Sequence, residues 1–192
     1  MTDSVTFGGG VLSSAVASSI EKMRRRIREV PDFPKPGISF KDITPLIEDS
    51  AAFRAAVDEM ARATERIDYA RILSADARGF VFGAALAYKA RKGLVLARKR
   101  GKLPRETVSV DYELEYGSEV LEVHADSIPA GARVLVVDDL LATGGTAHAM
   151  CELVENAGGI VAGVAFLVEL RRLRGRERLA PYPVISILAY DE

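Results

Sequence analysis

The chain has 192 residues, which is enough for one well-packed domain and short for two. Apolar residues make up 48% of it, and 26 basic against 27 acidic residues leave a net charge of −1, which argues against a general nucleic-acid-binding protein. The single cysteine, Cys151, excludes a disulfide framework within the chain and is typical of the reducing cytoplasm, and no apolar run is long enough to span a membrane.

The first third of the chain contains a polar leader, two helical patterns and a proline-rich loop. Residues 1–10 end in three glycines and are predicted to be a disordered leader, with a single domain from residue 11 onward. Apolar residues at spacings of four, three and four predict a helix over residues 11–29; they are Val16, Ile20, Met23 and Ile27. Prolines then predict a loop over residues 31–37, and a second helix is predicted from Ser50, its expected N-cap, to Arg66.

From residue 71 onward, short apolar runs alternate with helical patterns. The predicted strands cover residues 71–75, 94–97, 134–137, 160–168 and 184–188. Helices are expected to end at Ala90 and to run from residue 145 to residue 157, where Cys151 would be a small core residue. This alternation predicts an α/β fold with a mostly parallel central sheet flanked by helices.

Residues 98–130 interrupt the alternation. The runs 108–112 and 119–124 alternate apolar and polar residues, which predicts a β-hairpin joined around residues 116–118. An insertion of this length in a compact domain is often functional, and we expect residues 98–118 to form a flexible loop.

The most informative segment is 134–146. Four apolar strand residues are followed by Asp138 and Asp139, a Thr-Gly-Gly-Thr turn at 143–146 and a helical run. Backbone N–H groups and threonine hydroxyls at a helix N-terminus can bind a phosphate, and carboxylates can accept hydrogen bonds from sugar hydroxyls. The segment therefore predicts a site for a phosphorylated sugar.

Two more polar segments follow predicted strands. Residues 76–80 supply an acid, Arg78 and a glycine, and residues 98–102 read Arg-Lys-Arg-Gly-Lys. Because ligands of parallel sheets bind outside the carboxyl ends of the strands, these cations suit a substrate with two separated phosphate groups, such as a ribose 5-phosphate activated at C1 by diphosphate. The competing interpretations are an ion pair of Arg78 with Asp76 and a solvated charge run at 98–102.

The segment Val-Val-Asp-Asp-Leu-Leu-Ala-Thr-Gly-Gly-Thr at 136–146 resembles the diphosphoribosyl-binding signature of type I phosphoribosyltransferases. Four further blocks narrow the resemblance to the adenine phosphoribosyltransferase family. They are the proline-rich segment 31–42, which resembles the base-binding hood, Ala-Arg-Gly-Phe at 77–80, Arg-Lys-Arg-Gly-Lys-Leu-Pro at 98–104 and Leu-Glu-Tyr-Gly at 114–117. The blocks occur in the family's order, and the similarity runs from about residue 27 to residue 190.

The resemblance implies how a sugar diphosphate is bound. Asp138 and Asp139 would bind the ribose hydroxyls. The 5-phosphate would be bound by the turn made of Ala142, Thr143, Gly144, Gly145 and Thr146. The diphosphate would contact the catalytic cations Arg78, Arg98 and Lys102, with Arg100 as a weaker candidate for the same role.

The resemblance also implies which residues bind and activate the base. Phe40 would stack on adenine, while the main chain at Ser39 and Lys41 would bind the edge of the base. The family commonly has arginine where Lys41 stands. If that side chain binds the base, the planar guanidinium group with its paired N–H donors is absent here. Glu115 is the candidate proton carrier, and Tyr116 would lie with it on a loop that closes over the substrates.

The expected reaction converts adenine and 5-phosphoribosyl 1-diphosphate to AMP and diphosphate, a step of purine salvage. Magnesium is the implied cofactor, and we expect it to be held chiefly through diphosphate and ribose oxygens and not directly by a protein cage. The resemblance further implies a cytoplasmic homodimer with no nucleic-acid or membrane partner.

Three other functions compete with this interpretation. The first is a phosphoribosyltransferase for another purine base, such as hypoxanthine, guanine or xanthine. The second is a regulator that senses the sugar diphosphate, which would carry an added DNA-binding domain and a basic surface; only about 30 residues precede the hood. The third is a non-catalytic subunit of a diphosphoribosyl synthetase, which would be longer and lack the hood.

The remaining polar features are interpreted as structural. His124 and His148 fall in no motif and are predicted to be non-catalytic. The basic run 171–178 is interpreted as a solvated loop near the base site or at a dimer contact.

Overall fold

The computed structural model describes residues 14–33, 35–36, 39–114 and 117–191. The chain divides into two compact units between Glu59 and Met60, inside the region predicted as a single domain. The predicted leader at 1–10 and the candidate residues Glu115 and Tyr116 lie outside the described residues.

The described part of the first unit combines a two-stranded sheet with helices. Its elements are α1 (Ser14–Arg24), β1 (Arg28–Val30), β2 (Phe40–Asp42), α2 (Thr44–Glu48) and the first part of α3 (Ser50–Thr64). β1 pairs with β2 in antiparallel register, with Val30 opposite Phe40. The prediction of one helix up to residue 29 is therefore wrong at its C-terminal end, because residues 28–30 are held extended by a partner strand distant in sequence.

The N-terminus of α3 is capped by Asp49. Its Oδ1 accepts hydrogen bonds from the N–H groups of Ala51 at 3.0 Å and Ala52 at 2.9 Å. The prediction of Ser50 as N-cap is thus wrong by one residue. The hydrogen bond from Ala52 is the main cause that lowers the pKa of Asp49, and the nearby guanidinium of Arg26 lowers it further.

The described part of the second unit is built on one large sheet. Its parallel strands are β3 (Arg71–Ala75), β4 (Gly93–Lys99), β7 (Arg133–Leu141), β8 (Ile160–Leu170) and β9 (Val184–Tyr190). β5 (Thr107–Leu114) and β6 (Gly117–His124) form the predicted antiparallel hairpin, which joins the sheet along β4. The order across the sheet is β5-β6-β4-β3-β7-β8-β9.

Helices connect the parallel strands. They are α4 (Arg78–Ala90), α5 (Gly145–Asn156) and the short α6 (Gly175–Arg178), which follows a single 3₁₀ turn at 171–173. The predicted α/β fold with a mostly parallel central sheet flanked by helices is confirmed. No helix among the residues that the structure describes is both long and apolar enough to cross a membrane.

The core of the second unit is centred on β7. Val134, Leu135, Val136 and Val137 are fully buried, as expected of a central parallel strand covered on both faces. Cys151 is also fully buried on α5, as predicted for a small core residue. Burial raises the pKa of its thiol to about 12, so this side chain is unreactive near neutral pH.

Candidate active site

A cavity of about 460 Å³ lies at the carboxyl ends of the parallel strands. Its lining residues are Ala75, Asp76, Ala77, Arg78, Gly79, Lys99, Tyr112, Glu119, Leu121, Asp138, Asp139 and Thr146. This edge of a parallel sheet is where ligands of such folds bind. Four residues predicted from two separate motifs are thereby brought together: Arg78, Asp138, Asp139 and Thr146.

The two carboxyl groups lie within β7 and not in the turn that follows it. The ladder with β8 continues through Asp138, which pairs with Phe166, to Leu141, so the strand extends four residues beyond its predicted end at Val137. Both acidic side chains are buried, and the N–H of Asp139 donates to Oδ1 of Asp138 at 3.0 Å. The strand therefore fixes the direction in which both carboxyl groups face the cavity.

The environment of Asp138 favours its protonated form. Burial raises the pKa of this carboxyl well above its usual value, and the adjacent charge of Asp139 raises it further. The N–H of Asp139 and the guanidinium of Arg78 act in the opposite direction without offsetting the burial.

Arg78, the first residue of α4, binds the second carboxyl group. Its Nε donates to Oδ2 of Asp139 at 2.6 Å, a short charge-assisted hydrogen bond. The alternative prediction, an ion pair of Arg78 with Asp76, stays a prediction. The structure places Nε of Arg98 3.5 Å from Oδ2 of Asp76. About half of the Arg78 side chain stays exposed, so a ligand in the cavity meets this guanidinium.

Gly79 allows α4 to approach Asp138 closely. A Cβ at position 79 would lie 2.5 Å from Oδ1 of Asp138, which is too close for any other residue. Beneath them, the hydroxyl of Ser74 hydrogen-bonds the carbonyl of Val137 at 2.6 Å and lies 3.2 Å from that of Gly79. These contacts tie β3, α4 and β7 together directly behind the carboxyl groups.

The cationic segment at the end of β4 is only partly in the cavity wall. Lys99 lines the cavity, whereas Arg98 and Lys102 lie outside its wall. Nη1 of Arg98 is 3.4 Å from the carbonyl oxygen of Lys102, and Nε of Arg100 is 3.8 Å from Oε1 of Glu122. Arg98 therefore lies beside Asp76 of the cavity wall, whereas Arg100 lies beside Glu122, which does not line the cavity. The contact of these cations with a diphosphate and the flexibility of the segment stay predictions.

Two polar residues that line the cavity, Tyr112 and Glu119, were not predicted from the sequence, and Lys99 of the predicted cationic run lines it without having been assigned a role. Nζ of Lys99 donates to Oε1 of Glu119 at 2.5 Å, and the hydroxyl of Tyr112 donates to Oε2 at 3.1 Å. Burial raises the pKa of Tyr112 to about 12, and the nearby charge of Glu119 raises it further. Tyr112 and Glu119 are register partners in the hairpin, so the period-two alternation of the two runs was the signal that could have found them.

Residues 142–146, here called the glycine turn, connect β7 to α5. Gly144 has φ +83°, a left-handed conformation that favours glycine, and its carbonyl accepts the N–H of His148 at 2.9 Å. No side chain caps the N-terminus of α5 in the described structure, which leaves its first N–H groups to a ligand or to water. Thr146 lines the cavity, while Ala142, Thr143, Gly144 and Gly145 lie outside its wall.

The predicted base-binding residues lie on β2 in the first unit. Phe40 packs edge-on against Phe33, with ring centroids 5.2 Å apart. The hydroxyl of Ser39 donates to Glu29, and Nζ of Lys41 lies 3.4 Å from Oε2 of the same carboxylate. The Lys41 side chain is only 4% exposed, so it has a structural partner within the first unit. Pro34, Gly37 and Ile38 of the hood segment lie outside the described residues.

Comparison with known proteins identifies the family. Residues 47–190 match the family described as phosphoribosyl transferase domain. Over 175 residues the chain is 66% identical to the adenine phosphoribosyltransferase of Rubrobacter xylanophilus, and the match covers 91% of this chain and 95% of that protein. The chain belongs to the adenine phosphoribosyltransferase family.

Solved structures of the family share this fold. The crystal structure of adenine phosphoribosyltransferase from Thermoanaerobacter pseudethanolicus has a TM-score of 0.87 at 51% identity, covering 89% of this chain and 99% of that one. The Saccharomyces cerevisiae enzyme, solved with an imino-altritol bisphosphate and adenine, has a TM-score of 0.84 at 36% identity, and the match covers 90% of this chain and 99% of that one. The predicted family, fold class and enzyme class are thus confirmed.

Proposed function

We propose that the chain transfers the 5-phosphoribosyl group from 5-phosphoribosyl 1-diphosphate to adenine, forming AMP and diphosphate in purine salvage. The observation that carries this proposal is the meeting of Arg78, Asp138, Asp139 and Thr146 in one cavity. Such a substrate needs hydroxyl partners, phosphate donors and a cation beside the leaving group, and this cavity supplies all three. The high identity to proteins named adenine phosphoribosyltransferase supports the choice of base.

Asp138 and Asp139 are proposed to bind the ribose hydroxyls. The raised pKa of Asp138 favours a carboxyl group that can donate as well as accept a hydrogen bond. Asp139, held by Arg78 at 2.6 Å, would accept from the neighbouring hydroxyl. The N–H groups of the glycine turn and the Thr146 hydroxyl would bind the 5-phosphate at the positive end of α5.

The proposed chemistry separates charge at C1 of the ribose. Bond breaking runs ahead of attack by adenine N9, so positive charge develops on the sugar while negative charge grows on the departing diphosphate. Arg78, which lines the cavity, and Arg98, which lies beside Asp76 of its wall, would stabilise that negative charge where it forms, and Lys102 is proposed to join them. Lys99 is a further cation in the wall, paired with Glu119. This differential stabilisation of the transition state is what accelerates the reaction.

Adenine recognition is assigned to the hood. Phe40 would stack on the base, with its ring supported edge-on by Phe33, and the backbone at Ser39 and Lys41 would bind the edge of adenine. Since the Lys41 side chain is buried against Glu29, the backbone of residue 41 is the better candidate for this contact. Glu115 remains the proposed proton carrier and Tyr116 part of the closing loop.

Magnesium is the proposed cofactor. Among the described residues no group of three or more His, Cys, Asp or Glu side chains could hold a metal ion, so a protein cage does not fit. Asp138 and Asp139 supply oxygen donors beside the proposed ribose position, which fits an ion that keeps most of its ligands from the substrate and water. Bound there, the ion would neutralise part of the diphosphate charge.

A coupled assay of diphosphate release tests the reaction. With adenine, 5-phosphoribosyl 1-diphosphate and magnesium we expect turnover, and a strong decrease when the ion is chelated. Hypoxanthine, guanine and xanthine, assayed in parallel at equal concentration, are expected to react far more slowly, because the proposal assigns the hood to adenine. A higher rate with hypoxanthine than with adenine would contradict the assigned base while leaving the diphosphate chemistry in place.

A cytoplasmic homodimer is proposed from the family resemblance. Large apolar side chains stay exposed on the second unit, including Tyr88 on α4, which is 89% exposed, and Leu96 on β4, which is 42% exposed. Exposed apolar surface of this kind is typical of subunit contacts. Light scattering of the purified chain is expected to give twice the mass of one chain, and a monomeric mass at micromolar concentration would contradict the dimer. Cell fractionation checks the location.

A further inference from the structure

An ion pair between a buried carboxylate and a half-exposed arginine lies outside the cavity and joins β8 to α6. The Glu169 side chain is 5% exposed, and Arg176 binds it through two nitrogen atoms: Nε donates to Oε1 at 2.6 Å and Nη2 to Oε2 at 2.7 Å. Arg176 also donates to the carbonyl of Val184 at 2.9 Å and to the hydroxyl of Ser186 at 3.2 Å. Both guanidinium edges are thus engaged, which holds α6 in one orientation against β8 and β9.

Both partners of this pair are charged near neutral pH. Burial alone would raise the pKa of Glu169, but hydrogen bonds from Arg176 and Ser186 outweigh it and hold the pKa below its usual value. Because the Arg176 side chain is 47% exposed, water screens much of the attraction, so the pair contributes only modest net stability. What the pair fixes is the position of α6 against β8 and β9.

The residue next to Arg176 packs against the glycine turn. A Cβ on Gly175 would overlap the carbonyl oxygen of Ala142 and lie 3.1 Å from the nitrogen of Gly144. In the opposite direction, a Cβ on Gly144 would lie 2.6 Å from the carbonyl oxygen of Gly175. The two backbones are in direct contact, which only glycine at both positions permits.

The pairing of β7 with β8 holds the start of the glycine turn. In the β7–β8 ladder Glu169 pairs with Leu141, the last strand residue before the glycine turn. The turn is thus held at its start by the strand that carries Glu169 and at its middle by the helix that carries Arg176. A shift of α6 relative to β8 would move Gly175 and with it the backbone of the glycine turn.

We propose that Glu169 and Arg176 are positioning residues that hold the glycine turn, through Gly175, in the geometry that binds the 5-phosphate. Neither side chain lines the cavity, so they act through the turn and not by touching the substrate. The inference rests on the proposed function, since it assigns the 5-phosphate to this turn. The basic run 171–178 is solvent-exposed apart from Gly175, as interpreted from the sequence, and Arg176 within it also binds the buried carboxylate of Glu169.

The test replaces the pair by apolar residues of similar size, Glu169→Leu with Arg176→Met, and measures the Kd of ribose 5-phosphate by calorimetry. We expect the melting temperature to stay within a few degrees of the wild type, while Kd rises on the order of tenfold because the turn is displaced. Arg176→Lys keeps the charge but loses the planar guanidinium group, so we expect its Kd to lie between those of the wild type and the double variant. Glu177→Gln is the matched control: it removes an exposed 2.8 Å pair with Arg174 next to the same helix, and Kd should not change.

The possible outcomes separate this inference from the proposed function. An unchanged Kd in the folded double variant overturns the positioning role; if that variant does not fold, an unchanged Kd in folded Arg176→Lys does so. A wild-type chain that does not bind ribose 5-phosphate overturns the inference as well. A wild type that binds ribose 5-phosphate but forms no AMP from adenine overturns only the proposed reaction.

Discussion

Replacing Arg78 by alanine is expected to lower kcat/KM for 5-phosphoribosyl 1-diphosphate on the order of 10²–10³-fold, the usual cost of removing a preorganised group that stabilises developing charge. Arg78 lines the cavity and is fixed by its 2.6 Å hydrogen bond to Asp139, so in the proposed site it would meet the leaving diphosphate without reorganising. The free energy of unfolding should also fall, by about 1–3 kcal/mol, because the substitution removes a hydrogen bond from the buried Asp139 carboxylate. Initial rates of diphosphate release and urea unfolding measure the two effects.

Two further variants define what the Arg78 result means. Arg78→Lys keeps the charge but loses the guanidinium geometry at Asp139, so we expect partial activity. Arg133→Ala removes an exposed arginine at the opposite end of β7, where Nε binds the carbonyl of Asp68 at 2.8 Å, and should leave kcat/KM unchanged. Near-normal rates in folded Arg78→Ala would count against the placement of the diphosphate beside this residue.

The sequence predicted the central strands well because their signal is local. The run at 71–75 contains Ile72, Leu73 and Ala75, is followed by Asp76 and occurs in the structure with the same limits. The hairpin could also be predicted, since its two runs alternate on either side of a short connection. Such elements can be predicted because their signal lies in residues that are close in sequence, or in an apolar composition that indicates burial.

Elements fixed by long-range pairing were predicted less well. The polar character of Asp138 suggested that β7 ended at Val137, but hydrogen bonding to β8 carries the strand to Leu141. Residues 28–30 continue a helical pattern and yet pair with β2. In both cases a partner strand, invisible in the local pattern, overrides the local preference.

The sequence predicted which motifs form the candidate site but not which charged side chains pair with each other. The motifs correctly indicated that Arg78 and the acidic pair meet, but not that Arg78 binds Asp139 or that Arg98 lies beside Asp76. Arg176 was part of a basic run that is usually solvated, and only the fold brings it to Glu169. Which charge binds which is a property of three-dimensional packing, so sequence spacing could not supply it.

The pKa of Asp138 sets the sign of a pH effect on stability. Burial raises this pKa in the folded state, so above the unfolded value the folded chain holds a proton that the unfolded chain has lost. The contribution of the group to stability is therefore greatest at low pH and decreases as the pH rises from the unfolded toward the folded pKa. Because Asp139 is adjacent, the titration belongs to the pair and not to one carboxyl alone.

Asp138→Asn is expected to make the protein more stable and much less active. The amide cannot ionise, so the variant does not bear the cost of a buried charge. Its melting temperature should therefore exceed that of the wild type at pH 8 but not at pH 4. Each kcal/mol of difference in the free energy of unfolding corresponds to about 2–4 °C. Its kcat/KM should fall on the order of 10²-fold, because the amide NH2 replaces one of the two carboxyl oxygen atoms that could accept a hydrogen bond from a ribose hydroxyl in the proposed site. Thermal melts across this pH range and initial rates measure both effects, with Asp68→Asn, a change at a 90% exposed carboxylate, as the control that should alter neither. Equal melting-temperature differences at both pH values would contradict the raised pKa, whereas full activity would remove Asp138 from the ribose site.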